Sequence, residues 1–600
     1  MEASKNDEGS WGKRSVYLMF LIIQTIGLPV STTVPNSAVH HGTFGYVLVF
    51  VTLYILLGIP LLYMELIIGQ FTGLNSLNMW TVRPFLSHFG YFVIFWQVII
   101  LLHNYINVSF CLHYFLVSFE NPVPYYTCGK WATKNCDIFI RNYTVNQNCL
   151  KLPYPEEAKK SCETLYATFP EYQYYRYVIM KIDYTNGHHV SWQVALPSAL
   201  ACIVLYLSCF KRKKSMKWFL AVFSLYPILG FLILMMGTLL QKGIVKKFEE
   251  AFDADWTKFT KDFDFTRMVN QVIFSLGLGS GLAVNLGASC SFRAPCYANA
   301  AVSVAVGAAF TLLTVCTTAM MSCPYAYRYS CSPEYILTTA HMSLLYERVP
   351  RMLQEYSANS LWIILVYSCQ ACFGLRTVAL IFFNLLETFA AKYYRVAKYP
   401  GLLSFFGVAG LFCSTLLFFS STARIMQTGS FRRFNQLISV FIVLMECFVF
   451  VLWYGLGTFC EDVHFMQGIR PKVYMRSAWV ASSVLLLYTF CNELYSEITE
   501  IIEKESLLHC VGFWMLILCL CFTVITSIIR LSISACHKRC LRSVQLSSAW
   551  RPRSELLQRS RAMFSAQAMT KEYLYRQYHL QAGILARQKR ANVNFQNFME

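Results

Sequence analysis

Apolar stretches of about 20 residues recur along most of this 600-residue chain, and short polar segments separate them. An α-helix of that length crosses the hydrocarbon core of a bilayer, and no interruption is long enough for a separate soluble domain. We therefore predict an all-α polytopic membrane protein. Its twelve transmembrane helices are predicted at residues 16–37, 43–70, 90–118, 191–210, 217–241, 268–291, 297–322, 361–389, 401–421, 434–458, 475–494 and 508–532.

The composition agrees with a membrane domain. Hydrophobic residues make up 56% of the chain, charged residues only 14%, and the mean hydropathy is +0.43. Soluble proteins carry roughly 25% charged residues. The predicted helices carry no paired carboxylates, metal-ligand spacing or nucleophile motif, so the sequence argues against an enzyme.

The positions of the basic residues predict the orientation in the membrane. Basic clusters follow even-numbered helices, at residues 211–214, 392–398, 470–476 and 538–539. Cytoplasmic loops are rich in Lys and Arg, so we expect both termini in the cytosol. The expected location is the plasma membrane. The predicted organisation is a cytosolic segment 1–15, a transporter domain 16–532 and a cytosolic tail 533–600.

The C-terminal tail carries much of the net charge of +19, with 12 Lys and Arg against 3 Glu between residues 535 and 600. A tail of this kind suits the inner leaflet or a cytosolic or membrane partner better than nucleic acid. Aromatic and aliphatic residues alternate with basic residues at 573–585. This pattern is consistent with a helix on anionic lipid, or with a partly disordered basic terminus.

The longest loop on the opposite side covers residues 119–190. It contains a glycosylation sequon at Asn142 and four cysteines, and both features suit an oxidising exterior. We predict a disulfide between Cys128 and Cys136. Two free thiols are the alternative for this pair, and other pairings cannot be settled from sequence.

Gly and Pro interrupt two of the predicted helices. The first contains QTIGLPV at residues 24–30, and the sixth contains LGLGSG at residues 276–281. Such breaks leave backbone N–H and C=O groups that hydrocarbon cannot satisfy, so they persist where they face protein, water or a ligand. A packing glycine would explain either break alone. Paired breaks five helices apart indicate an inverted repeat with a binding site near the midplane.

Several motifs resemble those of the neurotransmitter:sodium symporter family, which has the leucine-transporter fold. GIPLLYMELIIGQ at residues 58–70 resembles its second-helix motif, and QVIFSLGLGSG at 271–281 resembles its broken sixth helix. CGKWATKNC at 128–136 is similar to its extracellular disulfide loop. WYG at 453–455, followed by FCEDV at 459–463, is similar to the end of its tenth helix. The family is itself a standard example of the paired-break rule.

The resemblance runs in order from about residue 16 to residue 532 and implies a secondary transporter of small solutes. It places Gly27 where monoamine carriers of the family have Asp and amino-acid carriers have Gly. Glycine leaves room and the helix-end dipole for a carboxylate, so an amino-acid-like solute is expected. The implied substrate-binding residues are Thr25, Gly27, Asn104, Phe274, Gly277 and Gly279.

Helix one departs from the family pattern between residues 29 and 35, which read PVSTTVP. Val30 stands where the family has a sodium-binding Asn, and Thr33 stands where it has a gating Arg. An isopropyl group offers no oxygen to sodium, so the first sodium site should be weak or absent. In helix ten, Arg432 replaces the acidic partner of the gate, which excludes the family's gating salt bridge. In helix three, Asn104 stands where the family has a Tyr that holds the substrate, unless Tyr105 supplies that hydroxyl instead.

Helix eight reads GLRT at residues 374–377, where the family has Gly-Leu-Asp-Ser or small-residue variants. Arg376 thus stands where a second-sodium ligand or a neutral neighbour would be, and a guanidinium repels sodium strongly in a low-dielectric pocket. We hypothesise that Arg376 replaces the second sodium ion and ties helix eight to the break in helix one. The alternative is an Arg376 turned toward the cytosolic vestibule, where it pairs with a carboxylate or carbonyl.

The implied ion ligands are partly retained. The residual metal ligands would be Thr25, Ser275 and Thr377, and the chloride-binding set is Tyr63, Gln271, Ser275 and Thr311. Glu65 matches a family carboxylate that braces the unwound segments. No cofactor is expected, and chloride and sodium are the candidate coupling ions.

Two functions remain open from the sequence. The first is a secondary transporter of amino-acid-like or related solutes with weakened or lost sodium coupling. The second is a transport-deficient family member that acts as a structural or trafficking partner through its basic tail. Changes at Val30, Thr33, Asn104, Arg376 and Arg432 leave the predicted fold intact. Whether the midplane cavity still binds a solute distinguishes the two functions.

Overall fold

The computed structural model describes residues 14–40, 43–136, 167–180, 192–252, 264–330, 343–393, 398–418 and 429–504, with short stretches near 395 and between 521 and 564. All regular structure in these residues is helical, which confirms the predicted all-α class. Most of the predicted twelfth span lies outside the described residues. The same holds for the sequon at Asn142 and for the tail segment 573–585.

The described helices follow the predicted spans in order. Those that carry labels here are α1 (Arg14–Thr25), α2 (Leu28–His40), α3 (Thr43–Thr72), α4 (Phe89–Val117), α5 (Trp192–Cys209), α6 (Lys213–Leu239), α7 (Ile244–Phe252), α8 (Phe265–Ser275), α9 (Leu282–Ala288), α10 (Cys296–Met321), α11 (Asn359–Lys392), α12 (Pro400–Phe418), α13 (Gly429–Cys447), α14 (Leu456–Gln467), α15 (Val473–Lys504) and α16 (Glu555–Met563). Shorter helical segments include Pro170–Gln173, Cys323–Tyr329, Leu344–Arg348, Val349–Leu353 and Phe448–Trp453.

The length and apolarity of these helices identify an integral membrane protein. Seven of the described helices are long and apolar enough by themselves to span a bilayer, and the bent pair of α1 and α2 makes an eighth. Large apolar side chains on α5, α6, α12 and α15 point outward, including Leu229, Ile233 and Phe406. An exposed apolar surface of this kind suits contact with lipid.

The two predicted breaks are present. The first predicted span is divided at Ile26 and Gly27 into α1 and α2, and the sixth is divided into α8 and α9. In the second break Gly277, Gly279 and Gly281 all have positive φ, between 66° and 71°. Only glycine adopts this backbone conformation without a steric cost, so the sequence LGLGSG ends α8 and turns the chain before α9.

The broken helices lie at the centre of the molecule. α3 packs against α9 and α10, while α11 packs against α4 and α6. Contact between α3 and α9 is close, because a Cβ added at Gly69 would lie 1.9 Å from the backbone oxygen of Val284. On α9, a Cβ at Gly287 would lie 2.5 Å from the oxygen of Leu66. Glycine at both places lets the two backbones touch.

The described loops that are predicted to face the exterior, here called the outer loops, fold onto the ends of the spans. Cys128 and Cys136 form the predicted disulfide. The ion pair between Arg351 and Glu171 is buried, with 3.6 Å between Nη1 and Oε1. It joins the loop before α5 to the segment before α11, so the described outer loops form one connected cap.

On the opposite face, part of the C-terminal tail packs against the spans. Trp550 is buried against the rings of Phe71, Phe450 and Tyr454. The Nε of Arg561 on α16 donates to Asp462 on α14 at 2.7 Å. This part of the tail is therefore held by the protein itself, between the ends of α3, α13 and α14.

The contact of α3 with α9 makes a direct prediction about stability. Replacing Gly69 by Ala should destabilise the protein by about 1–3 kcal/mol or more, because a rigid backbone oxygen blocks the added methyl group. We expect a lower melting temperature in detergent and less protein at the cell surface.

Gly410→Ala is the matched control, because no atom lies within 4 Å of a Cβ added at this exposed position of α12. Its stability should be unchanged or raised by up to about 1 kcal/mol, the helix preference of Ala over Gly. Equal melting temperatures for Gly69→Ala and the wild type would contradict the close approach of α3 and α9.

Candidate functional site between the broken helices

Three backbone carbonyls at the break between α1 and α2 accept hydrogen bonds, two from side chains and one from a backbone amide. The hydroxyl of Tyr54 donates to the oxygen of Thr25 at 2.6 Å. The Nη2 of Arg376 donates to the oxygen of Ile26, and the amide of Val30 donates to the oxygen of Gly27 at 3.1 Å. A cation that used these carbonyls as ligands would share the oxygens with these donors and lie close to the positive charge of Arg376.

The side chains beside this break are also engaged. The hydroxyl of Thr25 donates within 3.0 Å to the oxygens of Ser303 and Ile22, and Thr25 is fully buried. The oxygen of Val30 accepts from the hydroxyl of Thr314 at 3.1 Å, and the isopropyl group of Val30 is itself buried. An apolar side chain thus fills the place where the sequence resemblance implies a sodium-binding Asn.

Arg376 lies on α11, is fully buried and points toward the break in helix one. Its guanidinium carbon lies 4.0 Å from the centre of the Phe373 ring, in a cation–π contact. Its Nε and Nη1 have no hydrogen-bond partner among the described residues. The guanidinium therefore connects α11 to the break, as hypothesised, and its partner there is a carbonyl.

The second break is braced by polar side chains from three helices. The amide of Gly279 donates to Oε1 of Glu65 at 2.8 Å. Gln97 on α4 donates to the oxygen of Ser280, and Gln24 on α1 donates to the oxygen of Gly277 at 3.4 Å. Glu65 has the bracing position that the sequence resemblance implied for it.

A cavity of about 60 Å³ lies between the two breaks. A cavity of roughly 10–15 Å³ holds one water molecule, so this one has room for a solute of about four to six heavy atoms. Its wall is mostly apolar. The polar residues of the wall are Gln24, Asn104, Ser275, Ser280, Thr377 and Ser439.

The cavity brings together four of the six predicted substrate-binding residues. Gly27, Asn104, Phe274 and Gly277 line the wall. Thr25 does not line it and instead bonds to α10, and Gly279 faces Glu65. These two assignments to the solute site are therefore corrected for the conformation that the structure shows.

Some polar groups of the wall already have hydrogen-bond partners in the protein, and others do not. The amide nitrogen of Asn104 donates to the oxygen of Ile100 at 2.9 Å, and the hydroxyl of Thr377 donates to Phe373 at 3.0 Å. The hydroxyl of Ser275 is buried and has no partner in the described part of the chain. Of the three predicted metal ligands, Ser275 and Thr377 share the wall, and Thr25 lies behind it.

The predicted chloride set does not come together. Gln271 accepts from the hydroxyl of Tyr46, and its amide donates to Ser37 at 2.8 Å. Tyr63 instead donates to Gln467 at 3.1 Å, near α14. Tyr46 and Tyr63 are 17 residues apart on one helix, roughly 25 Å at 1.5 Å per residue. The assignment of Tyr63 is therefore wrong, and Tyr46 contacts Gln271 in its place.

The two remaining predictions concern Thr311 and the outer gate. The hydroxyl of Thr311 donates to Gly307 of its own helix at 2.8 Å. The backbone oxygen of Thr33 accepts from Gln271 at 3.4 Å. Arg432 lies on α13, but its side chain is outside the described part of the structure. Nη1 of Arg348 donates to Asn36 on α2 at 3.3 Å.

Comparison with known proteins identifies the family to which this architecture belongs. The sequence profile of the sodium:neurotransmitter symporter family matches residues 8–540. The chain belongs to this family. It is 23% identical over 527 residues to the sodium- and chloride-dependent neutral and basic amino acid transporter B(0+) of Mus musculus, covering 81% of this chain and 79% of the relative.

Two other relatives are similarly distant. Identity is 21% over 520 residues with the human transporter B(0+), covering 81% of this chain and 79% of the relative. Identity is 21% over 480 residues with the sodium-dependent dopamine transporter of Bos taurus, covering 79% of this chain and 67% of the relative. Members of the sodium:neurotransmitter symporter family are transporters and not enzymes. Membership supports a sodium-coupled transporter that sits in the bilayer and binds a small solute.

The hydrogen bond from Tyr54 to the helix-one break makes a testable prediction. Tyr54→Phe should destabilise the protein by about 1–3 kcal/mol, because the carbonyl of Thr25 loses its donor in a buried place. Thermal unfolding in detergent measures this change.

Tyr17→Phe is the matched control, because the buried hydroxyl of Tyr17 has no partner among the described residues. Its removal should leave the melting temperature unchanged or slightly higher. If the two variants melted at the same temperature, the bond from Tyr54 would not support the break.

The outer cap predicts a dependence of stability on pH. Burial raises the pKa of Glu347 to about 8, although the amide of Ser343 and nearby Arg176 and Arg348 oppose the shift. The folded protein therefore holds this proton more tightly than the unfolded chain. The stability that Glu347 contributes is fully present below about pH 4.5, the ordinary pKa of a Glu side chain. It is lost as the pH rises through about 8.

Melting temperatures measured across this range should fall less steeply with pH for Glu347→Gln than for the wild type. Glu120→Gln, at an exposed position of the outer surface, serves as the control and should retain the wild-type slope. An identical pH profile for Glu347→Gln and the wild type would exclude a protonated Glu347 in the folded cap.

Proposed function

We propose that this protein is a secondary transporter of small amino-acid-like solutes in which donors of the protein replace the coupling sodium ions. The observation that carries the proposal is the pair of bonds at the helix-one break, from Tyr54 to Thr25 and from Arg376 to Ile26. Sodium coordinates oxygen atoms, and these two carbonyl oxygens already have hydrogen-bond donors. Sodium coupling is accordingly weakened or lost.

The charge of Arg376 supports the same conclusion. A fixed guanidinium beside the break repels a cation in a low-dielectric interior. It also supplies the positive charge that a bound sodium ion would otherwise bring between α11 and α1. In this view Ser275 and Thr377, which retain hydroxyl groups at the cavity, are remnants of the family's ion sites.

The cavity supports a small solute. Gly27 lines it without a carboxylate for an amine, and no charged side chain lines the described wall. Its size of about 60 Å³ suits a compact molecule, and Asn104 and Ser275 offer polar contacts. The relatives named as amino acid transporters agree with this class of solute. Chloride at Gln271 and Ser275, a plasma-membrane location and cytosolic termini complete the proposal, together with glycosylation at Asn142.

A second function is favoured by one observation on the cytosolic side. Trp550 and Arg561 hold part of the tail against α13 and α14. A tail fixed in this way could present the basic residues that follow to a cytosolic or membrane partner. In that case the protein would be a transport-deficient structural or trafficking partner, and its cavity would carry no solute.

The deciding experiment is uptake of a pooled radiolabelled amino-acid panel by cells with verified surface expression, in sodium and in choline medium. We expect uptake in both media, with a ratio close to one. Uptake only in sodium would overturn the proposed loss of coupling. No uptake in either medium would favour the partner function.

A second measurement needs no solute. Any ligand that binds only the folded state raises the melting temperature, so the purified protein should melt at the same temperature in sodium chloride and in choline chloride. Arg376→Asp should restore a stabilisation by sodium, because it replaces the fixed cation by an oxygen ligand. Arg293→Asp, at an exposed position, is the control for the change of charge and should give none.

A further inference from the structure

The positive charge of Arg376 has no negative partner in the described part of the chain. Only its Nη2 has a hydrogen-bond acceptor, the oxygen of Ile26. The ring of Phe373 contacts the guanidinium but carries no charge, and no carboxylate of a described residue forms an ion pair with it. A guanidinium remains protonated at neutral pH, so it cannot lose this charge. A buried charge without a counter-charge is strongly disfavoured.

The guanidinium lies directly behind the wall of the cavity. It bonds to the oxygen of Ile26, and the next residue, Gly27, lines the cavity. Thr377, which follows Arg376 on α11, lines it as well. One hydrogen bond and one peptide unit separate Nη2 from the backbone nitrogen of Gly27, a distance of roughly 5 Å. At that distance in a low-dielectric interior, the charge acts strongly on an ion inside the cavity.

The described wall of the cavity adds no charge of its own. Its polar side chains are amides and hydroxyls, among them Gln24 and Ser275. The Oε1 of Gln24 and the hydroxyl of Ser275 are buried and have no partner among the described residues. These groups can accept from a hydroxyl of a solute or donate to its carboxylate. They are neutral, however, so the charge of Arg376 must be balanced by the solute itself.

One acidic side chain lies behind the other break. Glu65 accepts from the amide of Gly279, whose two neighbours, Leu278 and Ser280, line the cavity. Glu65 and Arg376 are not equivalent, because a buried carboxyl group can take up a proton and become neutral. A guanidinium cannot become neutral in the same way. The charge that persists behind the wall is therefore positive.

We propose that the cavity selects small carboxylate anions that lack an ammonium group, and that Arg376 determines this specificity. The carboxylate balances the charge of Arg376, and a hydroxyl group of the anion bonds to Gln24 or Ser275. An ammonium group in the cavity adds a second positive charge close to the first and is repelled. This inference rests on the proposed transport function for the role of the cavity, and it narrows amino-acid-like solutes to their hydroxy-acid counterparts.

Binding of three solutes of equal size to the purified protein tests the selection without transport. Glycolate, glycine and glycolamide have the same number of non-hydrogen atoms, and each is small enough for the cavity. At neutral pH glycolate is an anion, glycine carries an ammonium group as well, and glycolamide has no charge. Dissociation constants are obtained from melting temperatures in detergent over a range of solute concentrations. Choline gluconate, whose anion is much larger than the cavity, keeps the ionic strength constant.

We expect glycolate to bind at least about tenfold more tightly than glycine or glycolamide. Arg376→Gln removes the charge but keeps a donor for Ile26, and it should lose the preference for glycolate. Arg376→Lys keeps the charge and should keep the preference, and it serves as the second variant if the first does not fold. The control is Arg212→Gln, which changes an arginine paired with Glu387 at 2.8 Å far from the cavity wall. It should rank the three solutes as the wild type does.

Two results would overturn the selection. Glycine that binds as tightly as glycolate would mean that its ammonium group finds a negative charge, for which Glu65 is the candidate. A preference for glycolate that persists in Arg376→Gln would mean that another group determines it. Failure of all three solutes to stabilise the protein would also refute the selection of small carboxylates.

The uptake assay separates this inference from the proposed function when radiolabelled glycolate and lactate are added to the amino-acid panel. Uptake of the hydroxy acids in preference to glycine and alanine would support both. Uptake of amino acids alone would leave transport standing and refute the selection. If no solute is taken up, the proposed transport function fails, while the order of binding to the purified protein still decides the selection.

Discussion

A broken helix in a bilayer leaves backbone groups that only the protein or a bound ion can satisfy. The rest of this structure depends on how that requirement is met. At the first break the donors are a phenol and a guanidinium, from Tyr54 and Arg376. At the second break Glu65, Gln97 and Gln24 bond to the turn that three glycines make. These contacts bring α3, α4 and α11 to the centre and leave the cavity between them.

Donors built into the protein differ from a bound ion in one thermodynamic respect. An ion taken from one side of a membrane can shift a conformational equilibrium only by its differential affinity for the two states. A side chain is present in every state and brings no gradient with it. With Tyr54 and Arg376 in place, a transport cycle would need its driving force from the solute itself or from another species that can still be exchanged.

The fold could be predicted well from the sequence because the spans and their breaks depend on local sequence patterns. Apolar length fixed the spans, and the glycines at 276–281 indicated the second break, since few other residues adopt positive φ. The pairing of Cys128 with Cys136 was predicted for an oxidising loop and agrees with the family's disulfide loop that residues 128–136 resemble. The failures have a different origin. Tyr46 and Tyr54 owe their roles to the residues of distant helices that they face, and this depends on helix rotation and register. Tyr63 was misplaced for this reason: a tyrosine in a recognisable motif lay on the same helix, but several turns too far along it.

The close contact between α3 and α9 also bears on how the domain can move. Gly69 and Gly287 place backbone against backbone in a reciprocal arrangement, so the two helices can hardly slide or tilt past each other. They should travel as one rigid body. Any rotation of α9 relative to α8 must then be absorbed by the turn at Gly277, Gly279 and Gly281, which makes those three residues the hinge of the domain.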